Sequence, residues 1–433
     1  MRKPALHWQI LIAIVLAAAA GWAVNFAGGG DPSAPGLFGV SFLSAFQYIG
    51  DLFLNALKMI IVPLILSSII VGMAGIGASG NLGALGGRTL SFYVMTTVAA
   101  ILLGLVLVNI VGPGYVDGEP AGDLLALDAS AADIAARVEG KGAGDVADLF
   151  LRMIPENVVQ AAANQEMLAI IFFALLFGYF MTRLTHDLAE PMYKFWDGVF
   201  HVMMRMTEWI MLFAPIGVFG LVAKVVAETG FAAAGPLALF AVTTLAALVI
   251  HAAITLPLFL KVFGHVRPYK IFPAMAPAML TAFSTASSSA TLPVTMECVE
   301  NNAGVSNKIS SFVLPLGATV NMNGTALYEC TAAMFLAQAY GLDLTFGMQF
   351  TIVVIALLTS IGVAGVPAAS LVAIAIILAA IGLPVEAIGV LMVFDRILDM
   401  VRTSVNVFGD ACAAVIVARM DGEKTKLAPE PAA

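Results

Sequence analysis

Charge is what this 433-residue chain has least of. Asp, Glu, Lys and Arg make up 11% of it against 61% hydrophobic residues, about half the charged fraction of an ordinary soluble domain. Such a composition excludes a water-soluble globular fold and points to a polytopic membrane protein. The chain also lacks HExxH and the phosphate-binding GxxxxGK[ST], which argues against zinc hydrolysis and ATP-driven pumping. Its five histidines, His7, His186, His201, His251 and His265, fall outside the motifs below. A hydrolase built on Ser288 would therefore want a base, and no enzyme activity is expected. The three cysteines, Cys298, Cys330 and Cys412, lie in apolar or re-entrant stretches without paired or metal-type spacing. They read as small core residues. No cofactor and no nucleic-acid partner is expected.

What is present is apolar length. Segments long enough to cross a bilayer run at about 8–27, 48–76, 89–112, 165–183, 198–227, 236–260, 308–340 and 386–418. The first, behind Arg2 and Lys3, superficially resembles a signal peptide but precedes many further spans, so it is read as a retained helix. Lys58 in the second span is read as snorkelling towards an interface. Arg2 and Lys3, Arg88, Arg183 and Lys194, Lys261, Arg267 and Lys270, and Arg419, Lys424 and Lys426 occupy alternate connections. The opposite set holds Arg137, Lys141 and Arg152. By the positive-inside rule both termini are cytoplasmic. The acidic loop 112–165 contains two stretches, DLLALDASAADIAARV and DVADLFLRMI, that look like short amphipathic helices on a solvated decoration.

Two segments break the pattern of spans. Residues 268–302 and 346–383 each hold apolar arms around an interrupted centre, FSTASSSATLPVT in one and TSIGVAGVPAAS in the other. The seventh span is itself broken at GATVNMNGT, residues 317–325. Irregular backbone at membrane depth is tolerated only where protein or a water-filled cavity satisfies it. Paired interrupted segments point to a transporter site on inverted repeats.

The polar residues concentrate in the last span, VFDRILDMVRTSVNVFGD. Asp395, Asp399, Arg402, Asn406 and Asp410 recur at helical spacing and share one face roughly 80° wide. With Arg396 the segment holds five ionisable side chains, which in hydrocarbon would cost ~12 to 18 kcal/mol, so this face must look into protein or water. Arg402 suits a carboxylate bidentately, Asp399 an ammonium, and Asn406 with the hairpin amides a second carboxylate. The alternative is that Asp399 and Arg402 neutralise each other as a structural pair. Asp410 and Asn406, with carbonyls near Gly317 and Asn321, have the oxygens a sodium ion wants. Tyr93, Thr96 and Thr97 put three hydroxyls on one face of the third span, suited either to a monovalent cation or to bonds with their own backbone. Glu329, a lone carboxyl within the seventh span, is either a proton carrier or a permanently protonated core acid.

PLGATVNMNGTALYE, FSTASSSATLPVTM, SIGVAGVP and DRILDMVRTSVNVFGD, with LKMIIVPLILSSIIVG and APIGVFG earlier, strongly resemble the glutamate transporter family of dicarboxylate and amino acid:cation symporters. The motifs run in the family's order over nearly the whole chain. The resemblance implies an all-α membrane protein of eight transmembrane helices plus two re-entrant hairpins, built on inverted repeats and working as an elevator. It implies a homotrimer in the plasma (cell inner) membrane. The scaffold would be 1–88 (spans 1 and 2) and 113–230 (extracellular loop, spans 4 and 5). The transport domain would be 89–112 (span 3) and 231–420 (span 6, hairpin 1, span 7, hairpin 2, span 8), ahead of a cytoplasmic tail, 421–433. The implied activity is uptake of L-glutamate and L-aspartate coupled to protons, sodium or both. C4-dicarboxylate symport, sodium-only aspartate symport and, in another class, an ion channel are the alternatives.

Matched motif by motif, the resemblance assigns Arg402 to the side-chain carboxylate, Asp399 to the amino group, and Asn406, Thr325 and Ser288 to the main-chain carboxylate. Ser287, Ser289, Val366 and Thr403 would line the same pocket. Gly317, Asn321, Asn406 and Asp410 would hold one sodium, and Thr319, Met322, Ser360, Ile361 and Val363 another. Tyr93, Thr96, Thr97, Asn321 and Asn323 fall where the family has a third. Three positions bear on coupling. The family's usual NMDGT is NMNGT here, so Asn323 replaces a carboxylate and fewer sodium ions are expected. Ala286 stands where some relatives carry an Arg at the first hairpin tip, and Arg396 on the last helix is expected to supply that cation. Glu329 matches the proton carrier of the animal relatives. Asp395 receives no role.

Overall fold

The computed structural model describes residues 6–28, 31, 33, 36–37, 40–78, 84–125, 127, 154–164, 167–342, 344–362 and 369–427. The two helices expected in the acidic loop, like Val363 and Val366, lie wholly or largely outside these residues. Among the described residues the protein is helical apart from two short antiparallel strand pairs, Gly36–Leu37 with Val40–Ser41 and Tyr115–Val116 with Glu119–Pro120.

In chain order the helices are α1 (Leu6–Gly28), α2 (Phe42–Ala78), α3 (Ala84–Val111), α4 (Val158–Ala163), α5 (Met167–Met181), α6 (His186–Met211), α7 (Ala214–Thr229) and α8 (Ala234–Ile250). A π turn, His251–Thr255, carries α8 into α9 (Leu256–Gly264). There follow α10 (Ile271–Thr285), α11 (Ser288–Glu297), α12 (Asn307–Val320), α13 (Asn323–Ala339), α14 (Phe346–Gly362), α15 (Ala369–Ala380) and α16 (Ile388–Met420).

By length and composition, four described helices suffice to cross a membrane: Trp8–Gly28, Leu85–Val111, Ala234–Gly264 and Val385–Met420. Expected span 198–227 is not one helix, because α6 ends at Met211 and α7 begins at Ala214. Pro215 explains the break, having no N–H for the helical ladder. Leu212 and Phe213 turn instead through bonds to the carbonyls of Trp209 and Ile210, 3.2 and 2.9 Å. Expected span 308–340 is likewise two helices, broken at Asn321 and Met322 within the stretch singled out from its sequence. Pro63 is accommodated inside α2, where the Ser67 hydroxyl donates to the Pro63 carbonyl at 2.7 Å.

The helices pack in two groups. α1, α2, α5, α6 and α7 lie against one another, with α7 clasped by α1 and α2. Gly217 and Gly220 permit that approach, because a Cβ at either would run into Phe53 or the Phe46 carbonyl of α2. The other group is α3 with α8 to α16, centred on α13, every residue of which is buried. Of the α16 apolar window 83% is buried, against 29%, 33% and 39% for the other three long helices. α16 is therefore interior, while the others present broad apolar faces outward, as helices in lipid do.

Beyond α16, residues 421–427 fold back over the ends of neighbouring helices. Lys426 N–H donates to the Ala303 carbonyl and Arg267 N–H to the Leu427 carbonyl, both at 2.9 Å. Ser306 N–H donates to Glu423 Oε2 at 3.0 Å, and Arg419 Nε to the Gly264 carbonyl at 3.1 Å.

Candidate functional site

α16 spaces its polar residues so that the first four charges close on one another. Arg402 donates from Nη1 to Asp395 Oδ1 at 3.0 Å and from Nε to Asp399 Oδ1 at 3.0 Å, with Nη2 2.9 Å from the same oxygen. Arg396 Nη1 donates to Asp399 Oδ2 at 3.3 Å. All four side chains are buried, Arg402 almost wholly. Its guanidinium lies 4.3 Å from the centre of the Tyr328 ring on α13, a cation–π contact strengthened by desolvation. Two carboxylates and two guanidinium groups make a neutral quartet, the condition under which buried charges are tolerated. Asp399 and Arg402 thus pair as the sequence allowed, and Asp395, left without a role there, is Arg402's second acceptor. Arg396 also borders a small cavity shared with Leu371 of α15 and Ala214 and Val218 of α7.

One turn further on, α16 serves the break between α12 and α13. A helix start leaves four N–H groups without intrahelical partners. Asn406 Oδ1 accepts from the N–H of Gly324 at 2.8 Å and of Thr325 at 3.3 Å, while its Nδ2 donates to Thr325 Oγ1 at 2.9 Å. One side chain on α16 therefore caps α13. Asn321, at the break, donates from Nδ2 to Asp410 Oδ1 at 2.9 Å, and its own N–H bonds the Gly317 carbonyl at 2.9 Å. A Cβ at Gly317 would strike Asp410 and come within 2.8 Å of the Tyr93 hydroxyl. Gly317, Asn321, Asn406, Asp410 and Tyr93 are thus brought together.

The hydroxyl face of α3 reaches the same place. Tyr93 donates to the Val313 carbonyl at 2.7 Å; Thr96 bonds the carbonyls of Phe92 and Tyr93 at 3.0 and 3.1 Å and lies 3.5 Å from Asn321 Oδ1; Thr97 is buried beside them in sequence. The back-bonding alternative is realised for Thr96, with Asn321 as an added neighbour. Asn323, fully buried, accepts the Gly324 N–H through Oδ1 at 2.9 Å, and its Nδ2 sits against Gly409, where a Cβ would not fit. Gly409 was not singled out from sequence, although its place between Phe408 and Asp410 on the polar helix was a signal.

α10 and α11 form a helical hairpin whose tip turns in two residues. Ala286 takes the left-handed conformation, φ 50°, and Ser287 is extended, its Oγ accepting the Ala290 N–H at 3.2 Å as the α11 N-cap. Ser288 is buried and Ser289 exposed. Ser404 Oγ ties α16 to α10 through the Met279 carbonyl, 2.9 Å. The Thr403 hydroxyl donates to the Asp399 carbonyl at 2.7 Å, so it serves its own helix. Thr319 and Ser360 bond the carbonyls of Leu316 and Leu357 at 3.0 and 2.8 Å; Met322 is buried at the break and Ile361 lies in the last turn of α14. α12 and α14 pack on each other, and Val363 is outside the described residues.

Glu329, with zero exposure, accepts a hydrogen bond from Thr359 Oγ1 of α14 at 2.9 Å through Oε2, and Oε1 has no hydrogen-bond partner among the described residues. Thr359 and Tyr328 were both missed by sequence reasoning, although each adjoins a residue that was named. Among the described residues no three His, Cys, Asp or Glu side chains approach as a metal-binding group. The donors around Asp410 are instead one carboxylate with amide, hydroxyl and backbone oxygens, a set suited to a hard monovalent ion.

A model of the sodium:dicarboxylate symporter family matches residues 6–420. The proton/sodium-glutamate symport protein of Geobacillus stearothermophilus is 35% identical over 424 residues, covering 98% of this chain and 96% of the relative. The proton/glutamate-aspartate symporter of Escherichia coli strain K12 is 34% identical, with 97% and 93% covered. Excitatory amino acid transporter 2 of Mus musculus is 33% identical, with 85% and 72% covered.

Proposed function

The chain belongs to the sodium:dicarboxylate symporter family, and from that premise we propose that it takes up L-glutamate and L-aspartate together with protons, sodium or both. The observation that carries this reading is the buried neutral quartet on α16 beside the Asn406-capped start of α13. In it, Arg402 exchanges an Asp395 bond for the substrate's side-chain carboxylate, and Asp399 takes the amino group. Asn406, Thr325 and Ser288, with the flanking Ser287, Ser289, Thr403 and Val366, surround the second carboxylate. A C4-dicarboxylate would set its far carboxylate against Asp399, so the amino acid is preferred.

Coupling follows from charge. An acidic amino acid carries two carboxylates and one ammonium, so it adds a net negative charge to a site that is already balanced. Burying that charge in low dielectric without a cation is costly. A sodium ion on Asp410, Asn406, Asn321 and the Gly317 carbonyl, or a proton on Glu329, supplies the balance. Thr319, Met322, Ser360, Ile361 and Val363 are the second sodium set. Asn323 brings an amide to the Tyr93, Thr96 and Thr97 face, which therefore attracts a third sodium weakly.

The chain lies in the plasma (cell inner) membrane as eight spans and two re-entrant hairpins, α10–α11 and α14–α15, with both termini cytoplasmic. The two helix groups are scaffold and transport domain, α7 and α16 meeting between them, in a homotrimer whose transport domains move as elevators. The packing of α1, α2 and α5–α7 apart from α3 and α8–α16 supports this division.

The test is uptake of labelled glutamate, aspartate and succinate into proteoliposomes under imposed sodium, proton or potassium gradients. Saturable glutamate or aspartate accumulation driven by a sodium or proton gradient is expected. Succinate accumulation without glutamate uptake, or ion conduction without saturable uptake, would overturn the reading.

A further inference from the structure

The first hairpin, α10–α11, is joined covalently at its tip, Ala286 and Ser287. At the other end its legs run into chain that leads elsewhere. α10 is entered from α9 through Arg267 and a short turn, Pro268–Lys270, and α11 leaves through a π turn, Cys298–Ala303, and Gly304 towards α12. Residues 421–427, which follow α16, lie across that end. Terminal residues stay ordered only where they are tied down, and these are tied to both legs.

Consecutive residues of this segment take hold of opposite legs. The Leu427 carbonyl accepts from Arg267 N–H on the entry to α10, and Lys426 N–H donates to the Ala303 carbonyl on the exit from α11, both at 2.9 Å. Lys426 Nζ adds a bond to the Asn301 carbonyl. Glu423 accepts from both the N–H and the Oγ of Ser306, a charged acceptor where α12 begins. Arg419 steadies the start of the segment, donating to the Gly264 carbonyl at 3.1 Å and to the Glu423 carbonyl at 3.0 Å. Leu427 is buried in one apolar cluster with Val266 and Val305, which flank the two legs. Gly304 takes φ 77°, and a Cβ there would lie 2.8 Å from Lys426 Cγ, so this turn leaves space for the segment that crosses it. Parting the legs must break the hold on one or the other and return Leu427 and its apolar neighbours to water, which opposes the movement. The second hairpin has a different base: Tyr340 ahead of α14 and Pro384 behind α15 line a cavity of about 490 Å³, which gives its legs room to shift.

We propose that residues 421–427 are a clasp that keeps α10 and α11 together, so that the tip carrying Ser287 and Ser288 is a fixed wall against α16 rather than a flap. The clasp itself does not depend on the transport reading. Its consequence rests on that reading: a first hairpin released from the clasp lets substrate escape without the coupled movement of ions.

Hydrogen–deuterium exchange of the full-length protein in detergent, read by mass spectrometry, tests the clasp. In a folded Glu423→Ala/Leu427→Asp variant the amides of α10 and α11 are expected to exchange about tenfold faster than in the wild type, while those of α2 and α7 keep their rates. Leu427→Met, which retains the apolar contact, is expected to match the wild type. Should the double variant fail to fold, Leu427→Ala alone is expected to speed exchange in the same two helices several-fold. Unchanged exchange in α10 and α11, or an equal rise in every helix, would overturn the proposal. Where uptake is measurable, proteoliposomes loaded with labelled aspartate and held without ion gradients are expected to lose it several-fold faster with the double variant; equal loss would overturn the consequence for transport. A wild type that takes up no acidic amino acid counts against the transport reading alone, and the exchange result still decides the clasp.

Discussion

α16 carries two polar centres a turn apart, and they are stabilised in opposite ways. From Asp395 to Arg402 everything is formal charge, four groups closing on one another within 3.3 Å. From Asn406 to Asp410 there is one carboxylate, whose partner is the neutral Asn321 amide, amid hydroxyls and backbone. In the first centre, loss of one member strands an opposite charge in the interior. In the second, loss of one member shifts a carboxylate or an amide that still has polar neighbours. Under the proposed function, the difference separates a centre suited to discriminating organic ions by charge and shape from one suited to a small cation.

The largest expected effect comes from breaking the first centre. Arg402→Cys strands Asp395 and leaves Asp399 paired with Arg396, at ~3–5 kcal/mol of stability for a broken buried pair, and removes the guanidinium proposed to hold the substrate's side-chain carboxylate. Acidic amino acid uptake should disappear while neutral amino acids gain entry; competition with labelled serine reads both, and unchanged glutamate uptake would sink the assignment. Gly317→Ala probes the second centre by steric pressure on Asp410 and Tyr93. Overpacking of ~1–3 kcal/mol should raise the half-saturating sodium concentration about tenfold in a sodium titration of uptake; an unaltered titration removes Asp410 from the ion site.

A smaller effect is expected from Glu329→Gln. The Gln carbonyl keeps an acceptor for Thr359 Oγ1, so the fold is retained while the exchangeable proton is lost. Uptake should stop responding to an imposed pH gradient, and persistent proton-driven accumulation rules Glu329 out as the carrier. Smallest is Asn323→Asp, which restores a carboxylate to the hydroxyl face at nearly constant volume. Sodium should then drive uptake at concentrations a few-fold lower; an identical sodium response in the two proteins means that α3 contributes no ion ligand.

Periodicity carried much of this architecture. The shared face of Asp395, Asp399, Arg402 and Asn406 follows from helical spacing, and the Asn321–Met322 break from a Gly- and Asn-rich run in an apolar stretch. Other features depend on packing partners remote in sequence and leave no periodic trace. Asp395 had no role until Arg402's rotamer was known, because one helix face permits several pairings. Thr359 meets Glu329 only because α14 lies on α13. The division at Leu212 was hidden by hydrophobicity that runs unbroken through Pro215. Arg396 was expected, by resemblance, to supply from the last helix the cation that some relatives carry at the first hairpin tip; it bonds Asp399 and borders a cavity shared with α15 and α7.

The capping of α13 by Asn406 has a bearing on biogenesis. α16 is synthesised after α10, α12 and α13, whose Met279, Asn321, Gly324 and Thr325 are its partners. A helix with six charged residues enters a bilayer unfavourably by itself. Its integration is therefore coupled to docking on helices already in place, and α13's first amides wait for a cap that the ribosome delivers about 80 residues later. Variants that weaken the docking surface should act first on membrane assembly, and only then on catalysed uptake in the molecules that survive it.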